Sequence, residues 1–470
     1  MKKLLAMVLA LVMTLSLAVS ASAVKADEKI NEDYAEAVAV LNGMGVFKGY
    51  EDGSFKPENN ITRAEVATII YRIYTGDVAK NDKSGLYASY NKFTDMAGAG
   101  WAAGYIGYCS NAELVKGYPN GTFQPSGNIT GYEVLAMILR AVGYDKNGEF
   151  TGADWALNVA KYAEQLHILD NVAKTTNLGA PATRELVSEL LFQSIQVPMV
   201  SYTAAFGYQN VSLTGDKDKN LLKNNATIGY KNFGLICGED EDEWGRPTKV
   251  WANDVNESGK YESSKDSAYA TIAYKADASF QAATAQCDIL KELGTKKDVK
   301  GNLIVNGQKL DAVTLKDVTG KVGAQGRQIE VFYKYNDAGD TRVVMIDTFL
   351  AYVDGTAEAK FDKNGHMTTP YTMTLYVYDE ANVGRKVVLE DKDEAFTYEE
   401  GDYVLVNAYT DKVNSADESG KVLNNKDQYV EVIGKAESFV GAQTKIWKNA
   451  AQHTVADKVY DDAYKFLLNE

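Results

Sequence analysis

Hydrophobic positions change rhythm twice along this chain. Residues Leu4 to Val19 are almost wholly apolar behind Lys2 and Lys3, and Ala21-Ser22-Ala23 follows with the small-x-small spacing that signal peptidase accepts. Residues 1–23 are therefore expected to be a secretory signal peptide, too short and too cleavable for a resident span. From about residue 30 to residue 197, apolar side chains recur at three- and four-residue intervals. Val66, Ile69, Ile70 and Ile73 form one such run, and Val134, Met137, Ile138 and Ala141 another. That spacing predicts amphipathic helices. Val197-Pro198 ends this texture. Beyond it, Ile329 to Tyr335, Arg342 to Ile346, Tyr371 to Tyr378 and Tyr403 to Tyr409 alternate with period two, separated by Asn-Asp-Ala-Gly, Lys-Asn-Gly and Asp-Glu-Ser-Gly turns. Such runs predict antiparallel β-structure. No later stretch reaches the ~18 apolar residues that a membrane-spanning helix requires, so no integral span is expected after the signal.

The helical part repeats itself. Gly49-Tyr50-Glu51-Asp52-Gly53-Ser54-Phe55-Lys56-Pro57 recurs 68 positions later as Gly117-Tyr118-Pro119-Asn120-Gly121-Thr122-Phe123-Gln124-Pro125. Asx-Gly pairs suit a turn that needs positive φ, and the aromatic residue two positions on is placed to fold back onto the core. Each loop leads to a helix start, Ile61-Thr62-Arg63-Ala64-Glu65 and Ile129-Thr130-Gly131-Tyr132-Glu133. Thr62 with Glu65, and Thr130 with Glu133, have capping-box spacing. A third, eroded copy aligns Trp155-Ala156 with Trp101-Ala102 and ends in Ala182-Thr183-Arg184-Glu185, with Leu186 at the capping-Glu position. The expected units are repeat 1 at 30–80, repeat 2 at 91–145 and a degenerate repeat 3 at 150–197. Arg63 stands in a first helical turn, where the dipole disfavours a cation but free amides and a guanidinium together suit an anion. A solvated or internally paired arginine is the alternative.

This arrangement resembles the S-layer homology family, through Phe93-Thr94-Asp95, Trp101-Ala102, the glycine loop and Ile61-Thr62-Arg63-Ala64-Glu65. The resemblance covers about two-fifths of the chain. It implies an all-α pseudo-trimer whose inter-repeat grooves bind a secondary cell-wall polysaccharide linked to peptidoglycan. By the same resemblance Arg63 and Arg184 map to a carboxylate-binding position, and Trp101 and Trp155 to a sugar-facing aromatic, with core packing as the alternative for both rings. Asp95, Asp52, Gly53, Gly121, Thr62 and Glu65 complete the implied ligand-binding set. Departures make the grooves unequal: Asp33-Tyr34 replaces Trp-Ala in repeat 1, Gly131 replaces arginine in repeat 2, and repeat 3 lacks the Gly-Tyr-x-Asp-Gly loop. One or two binding grooves are expected.

At 470 residues the chain exceeds one core. Residues 198–470 are expected to be β-rich and to form two small domains, with one larger domain as the alternative. Gly326 and Gly401, 75 residues apart, each begin a weakly similar alternating run. The net charge is −15, and loss of Lys2 and Lys3 with the signal makes it more negative. That balance argues against nucleic acid as a partner and against an anionic membrane surface. Cys109, Cys237 and Cys287 are odd in number and lack metal-ligand spacing. Cys109 reads as a packed small hydrophobe, and a Cys237–Cys287 bridge has no support in the spacing. His167, His366 and His453 are dispersed, with His167 expected on a helix, packed or half-exposed. Glu239 to Glu243 reads as a solvated acidic loop more readily than as a calcium site. With no catalytic motif, metal set or cofactor signature, the expected function is a non-catalytic wall-anchored surface protein that meets the wall polymer and other copies of itself in a surface lattice. The competing reading is a wall-tethered polysaccharide hydrolase with carboxylate catalysis in the C-terminal region.

Overall fold

The three- and four-residue rhythm is realised as six helices among the described residues, and a seventh, short helix lies at Ile228–Phe233, in the part expected to be strand-rich. They are α1 (Ala35–Gly43), α2 (Arg63–Thr75), α3 (Ala103–Asn111), α4 (Gly131–Val142), α5 (Trp155–Gln165), α6 (Arg184–Ile195) and α7 (Ile228–Phe233). The computed structural model describes residues 28–50, 52–78, 83–90, 92–211, 226–242, 244–253, 268–280, 302–305, 307–310, 327–336, 338–378, 384–392, 394–408, 430–435, 444–448 and 451–455. The segment 1–23 expected to be an export signal, Cys287 and Gly326 lie outside them. Two units divide the chain: one holds the described residues up to 240 with 249–272, the other 241–248 with those from 273 onward.

Helices α2 and α4 begin on full capping boxes. Thr62 Oγ1 accepts the Glu65 amide at 3.3 Å while the Glu65 carboxylate accepts the Thr62 amide at 2.8 Å, and Thr130 and Glu133 do the same at 3.3 and 2.9 Å. In α6 Thr183 accepts the Leu186 amide at 3.3 Å, and Leu186 returns nothing.

Just ahead of these three helices, their entry segments meet. The Ile61 amide donates to the Ala182 carbonyl (3.2 Å), Ala182 to Ile129 (2.8 Å) and Ile129 to Ile61 (3.1 Å), which closes a ring of three backbone hydrogen bonds. Ile61 and Ile129 are fully buried and Ala182 nearly so. Each segment is too short for a ladder of its own, so every buried amide finds its acceptor on a different neighbour.

One apolar cluster surrounds this ring and runs from Tyr34 to Ile195. It continues past Pro198 to Ile228, Phe233, Leu235, Trp251 and Ala270. The Phe192 and Trp251 rings meet edge-on at 5.1 Å, and the Asn232 side-chain amide donates to the Ile73 and Tyr74 carbonyls at the end of α2. Cys109 is fully buried with its thiol toward the Ala67 carbonyl, and burial pushes its pKa well above the ordinary thiol range. His167 differs from expectation. It follows α5 at φ 59°, outside the helix, with its side chain 80% exposed beside Asp170.

The other unit is built on the 16-residue strand Arg342–Ala357. Its first half pairs antiparallel with Arg327–Phe332, in the register Val344 opposite Glu330. Its second half pairs antiparallel with Tyr371–Tyr378 and with Tyr403–Ala408. The strands that follow Gly326 and Gly401 thus flank one common strand. Two apolar clusters form along it: Trp244, Phe332, Val344 and Ile346 on the first half, and Ala351, Val353, Met373, Leu375, Val387, Val404 and Val406 on the second. One pairing departs from the antiparallel expectation, since Asn302–Val305 lies parallel to Arg342–Met345. The long connection between them permits a crossover that a tight hairpin would not. The acidic run at 239–243 is partnered where it is described. Asp242 accepts the Trp244 and Arg246 amides, and Glu241 meets Arg342 at 2.8 Å, while Glu243 lies outside the described residues.

Replacing Ile129 by alanine removes a fully buried side chain beside the hydrogen-bonded ring. We expect Ile129→Ala to lower stability by about 2–5 kcal/mol, read from urea unfolding of the protein.

Candidate functional site

The two glycine loops fold alike. The Tyr50 amide donates to the Ser54 carbonyl, and the Tyr118 amide to the Thr122 carbonyl, both at 2.8 Å. Gly53 and Gly121 have φ of 77° and 78°, the left-handed region where a side chain is disfavoured. Phe55 and Phe123 are fully buried against Phe47 and Phe93, at ring separations of 5.1 and 5.2 Å. Asp52 holds the first loop from within by accepting the Ser54 amide at 3.0 Å, and lies 3.6 Å from Lys56 Nζ.

Lys56 and Gln124, just before the prolines, also have positive φ, 54° and 58°. A carboxylate stabilises each. Asp95 accepts the Phe123 and Gln124 amides at 2.9 and 2.7 Å. Glu28 accepts the Phe55 amide and, at 2.7 Å, the Lys56 amide. Burial raises the Asp95 pKa, but the two amides outweigh it and hold the carboxyl below its ordinary value. Glu28 escaped the sequence reading because Asp27, not Glu28, stands 68 positions before Asp95. A side chain one methylene longer, one residue later, reaches the same amides.

Both predicted arginines are buried, with side chains 3% and 4% exposed. Arg63 Nε donates to the Phe123 carbonyl (2.8 Å), Nη2 to the Lys116 carbonyl (3.2 Å) and Nη1 to Glu133 (2.7 Å). Its guanidinium lies over the Tyr118 and Phe123 rings, 4.7 Å from each centroid. Arg184 repeats the pattern on the other loop. Its Nε donates to the Phe55 carbonyl (2.7 Å) and Nη2 to the Lys48 carbonyl (3.0 Å), with Glu65 3.9 Å away and Phe47, Tyr50 and Phe55 around it. Each arginine therefore clamps a glycine loop distant from it in sequence.

The tryptophans separate. Trp101, in the turn Gly100–Ala102, is 62% exposed, whereas Trp155 at the start of α5 is half-buried against the core. Trp101 lines a cleft of about 240 Å³ together with Thr62, Ala64, Glu65, Ala99, Pro125 and Ser126. The first turn of α2 forms one wall, and the end of the second glycine loop the other. Of the predicted set, the cleft collects Thr62, Glu65 and Trp101. Arg63, Gly53, Gly121, Asp52 and Asp95 do not line it; they shape or pin the loops. Ala64, Ala99, Pro125 and Ser126 were not foreseen as lining, since small residues at loop ends carry no distinctive sequence signal.

Residues 28–67 and 92–135 match the S-layer homology domain family. These two segments are S-layer homology repeats. The chain is 24% identical over 416 residues to the middle cell wall protein of Brevibacillus brevis, covering 85% of this chain and 37% of that protein. It is 34% identical over 150 residues to a surface layer protein of Brevibacillus choshinensis, covering 31% of this chain and 13% of that one. With the S-layer protein sap of Bacillus anthracis it shares 22% identity over 430 residues, 82% of this chain and 51% of that protein. The chain spans about half or less of the length of these relatives. In the first S-layer homology repeat, the capped helix contributes the cleft's polar wall; the second contributes Trp101 and the loop end.

Arg63→Ala would leave Glu133 and two loop carbonyls without their cation. We expect about 3–5 kcal/mol of lost stability, read by thermal and urea unfolding. Asp95 generates a pH dependence of defined sign. Its folded pKa is depressed below the unfolded value of about 3.9, so its stabilisation is present above that value and is lost as pH falls through the folded pKa. Asp95→Asn is expected to flatten the acid limb of a plot of melting temperature against pH.

Proposed function

We propose that this is a non-catalytic, cell-wall-anchored surface protein whose three S-layer homology repeats, at 30–80, 91–145 and 150–197, close into an all-α pseudo-trimer and bind a secondary cell-wall polysaccharide linked to peptidoglycan. The ring of backbone bonds through Ile61, Ile129 and Ala182 supports the threefold arrangement. The Arg63 and Arg184 clamps, each reaching a neighbouring loop, support it as well. The family match and the surface proteins among the relatives support the cell-surface location and a role without catalysis.

The Trp101 cleft carries the reading. A pyranose ring presents an apolar C–H face that suits an exposed indole, and its hydroxyls suit Thr62, Glu65 and Ser126 around the rim. In this reading Arg63 and Arg184 act from beneath by fixing the loops that form the cleft walls, and Trp155 stays a core-facing counterpart. The strand-rich unit, 241–248 with the described residues from 273 onward, is the part that meets other copies of the protein. The name of the Bacillus anthracis S-layer protein, which aligns with 82% of this chain, supports that assignment.

The test is pelleting of the mature chain with purified cell-wall sacculi, before and after removal of the secondary polymer. Binding is expected to require the polymer. Trp101→Ala is expected to weaken binding about ten-fold or more, as loss of a covered aromatic face predicts, with the melting temperature near that of the parent protein. Equal pelleting by stripped sacculi would end the polysaccharide reading.

A further inference from the structure

The first turns of α2, α4 and α6 make one equivalent contact. The amide two residues after each capping threonine donates to a loop carbonyl: Ala64 to Pro125 at 3.0 Å, Tyr132 to Leu178 at 3.1 Å and Glu185 to Pro57 at 3.1 Å. These bonds make the three junctions equivalent, residue for residue. Ser126, Gly179 and Glu58 follow the accepting residues, and Trp101, Trp155 and Asp33-Tyr34 stand at the corresponding first-helix positions.

The side chains at this shared position differ. At the first junction Ala64 offers a methyl group, and the cleft beneath Trp101 is open over about 240 Å³. At the second, Tyr132 is half-buried against the core, and its ring stands beside the loop: a Cβ added to Gly179 would lie 3.8 Å from Tyr132 Cε2. Leu178 packs against Gly131, the counterpart of Arg63: a Cβ there would come within 2.8 Å of Leu178 Cδ2. At the third, Glu185 Oε2 reaches across the junction to accept the Asn31 amide at 2.9 Å, and Asn31 caps the turn that bears Asp33 and Tyr34. A methyl stands at the open junction, while the same position carries a phenol ring at the second junction and a bridging carboxylate at the third.

We propose that the residue two after each capping threonine, Ala64, Tyr132 or Glu185, decides whether its junction admits a sugar, and that the wall polymer is read through the Ala64–Trp101 cleft alone. This rests on the reading above, that the polymer binds where repeats meet, and it names the residue that selects among those places. A single reading site also fixes the stoichiometry at one polymer segment per chain.

The test uses the mature chain with polymer-bearing sacculi. Ala64→Tyr and Ala64→Glu transplant the closing residues of the other junctions, and Ser126→Trp closes the same cleft from an exposed position on the opposite wall. Each is expected to weaken binding about ten-fold or more, with a melting transition retained. Ser126→Trp decides the matter if the Ala64 variants unfold. Tyr132→Ala is expected to leave binding within about two-fold of the parent protein. Parent-level binding by folded Ala64→Tyr or Ser126→Trp would overturn the gating role, as would a ten-fold loss in folded Tyr132→Ala. Failure of the parent protein itself to pellet would instead overturn the anchoring reading on which the gate depends.

Discussion

Three backbone hydrogen bonds, from Ile61 to Ala182, Ala182 to Ile129 and Ile129 to Ile61, are the constraint on which the helical unit depends. They bury amides that no helix could satisfy, because each lies just outside a capped first turn. Closure of the ring sets where α2, α4 and α6 begin and therefore which loop each helix start faces. The capping boxes of Thr62 and Thr130 then orient the first turns, and the Trp101 cleft follows from that placement. A contact between residues more than a hundred positions apart thus governs features that look local.

Two buried guanidinium groups extend the same logic outward. A cation inside an apolar core is stable only if every donor is met and a counter-charge is near. Each nitrogen of Arg63 has a partner, in two loop carbonyls and Glu133, and two aromatic faces cover the group. Glu133 has a double role, since it caps α4 and neutralises Arg63, and Tyr118 also donates to it at 2.8 Å. Loop, helix cap and neighbouring repeat are therefore coupled through one carboxylate. Where Gly131 replaces arginine, Leu178 occupies the junction, so an apolar contact substitutes for an ionic one.

The strand-rich unit solves a different problem with one element. Strand Arg342–Ala357 is long enough to carry two separate apolar clusters, and its pairing partners change midway along its length. The choice between two β-domains and one was not legible in the alternating pattern, because period two reports which face is buried and says nothing of which strands share a neighbour. The parallel pairing of Asn302–Val305 was hidden for the same reason.

Local chemistry was determined by sequence alone. The turns at Asp52-Gly53 and Asn120-Gly121, the capping boxes, the burial of Phe55 and Phe123, and the helical and alternating textures all follow from residues a few positions apart, whose interactions do not depend on the rest of the chain. The family resemblance was legible for the same reason. Tertiary structure decided what each motif residue faces. Arg63 stands in the first turn of α2, where an anion contact was the natural expectation, yet its guanidinium turns inward because the Phe123 and Lys116 carbonyls arrive there from another repeat. Trp101 and Trp155 align in sequence and differ in exposure, because exposure depends on what the neighbouring helix start supplies. Ala64 is the clearest case. A single methyl group carries no sequence signal of function, and only the arrangement of three junctions around one ring reveals the space it leaves open.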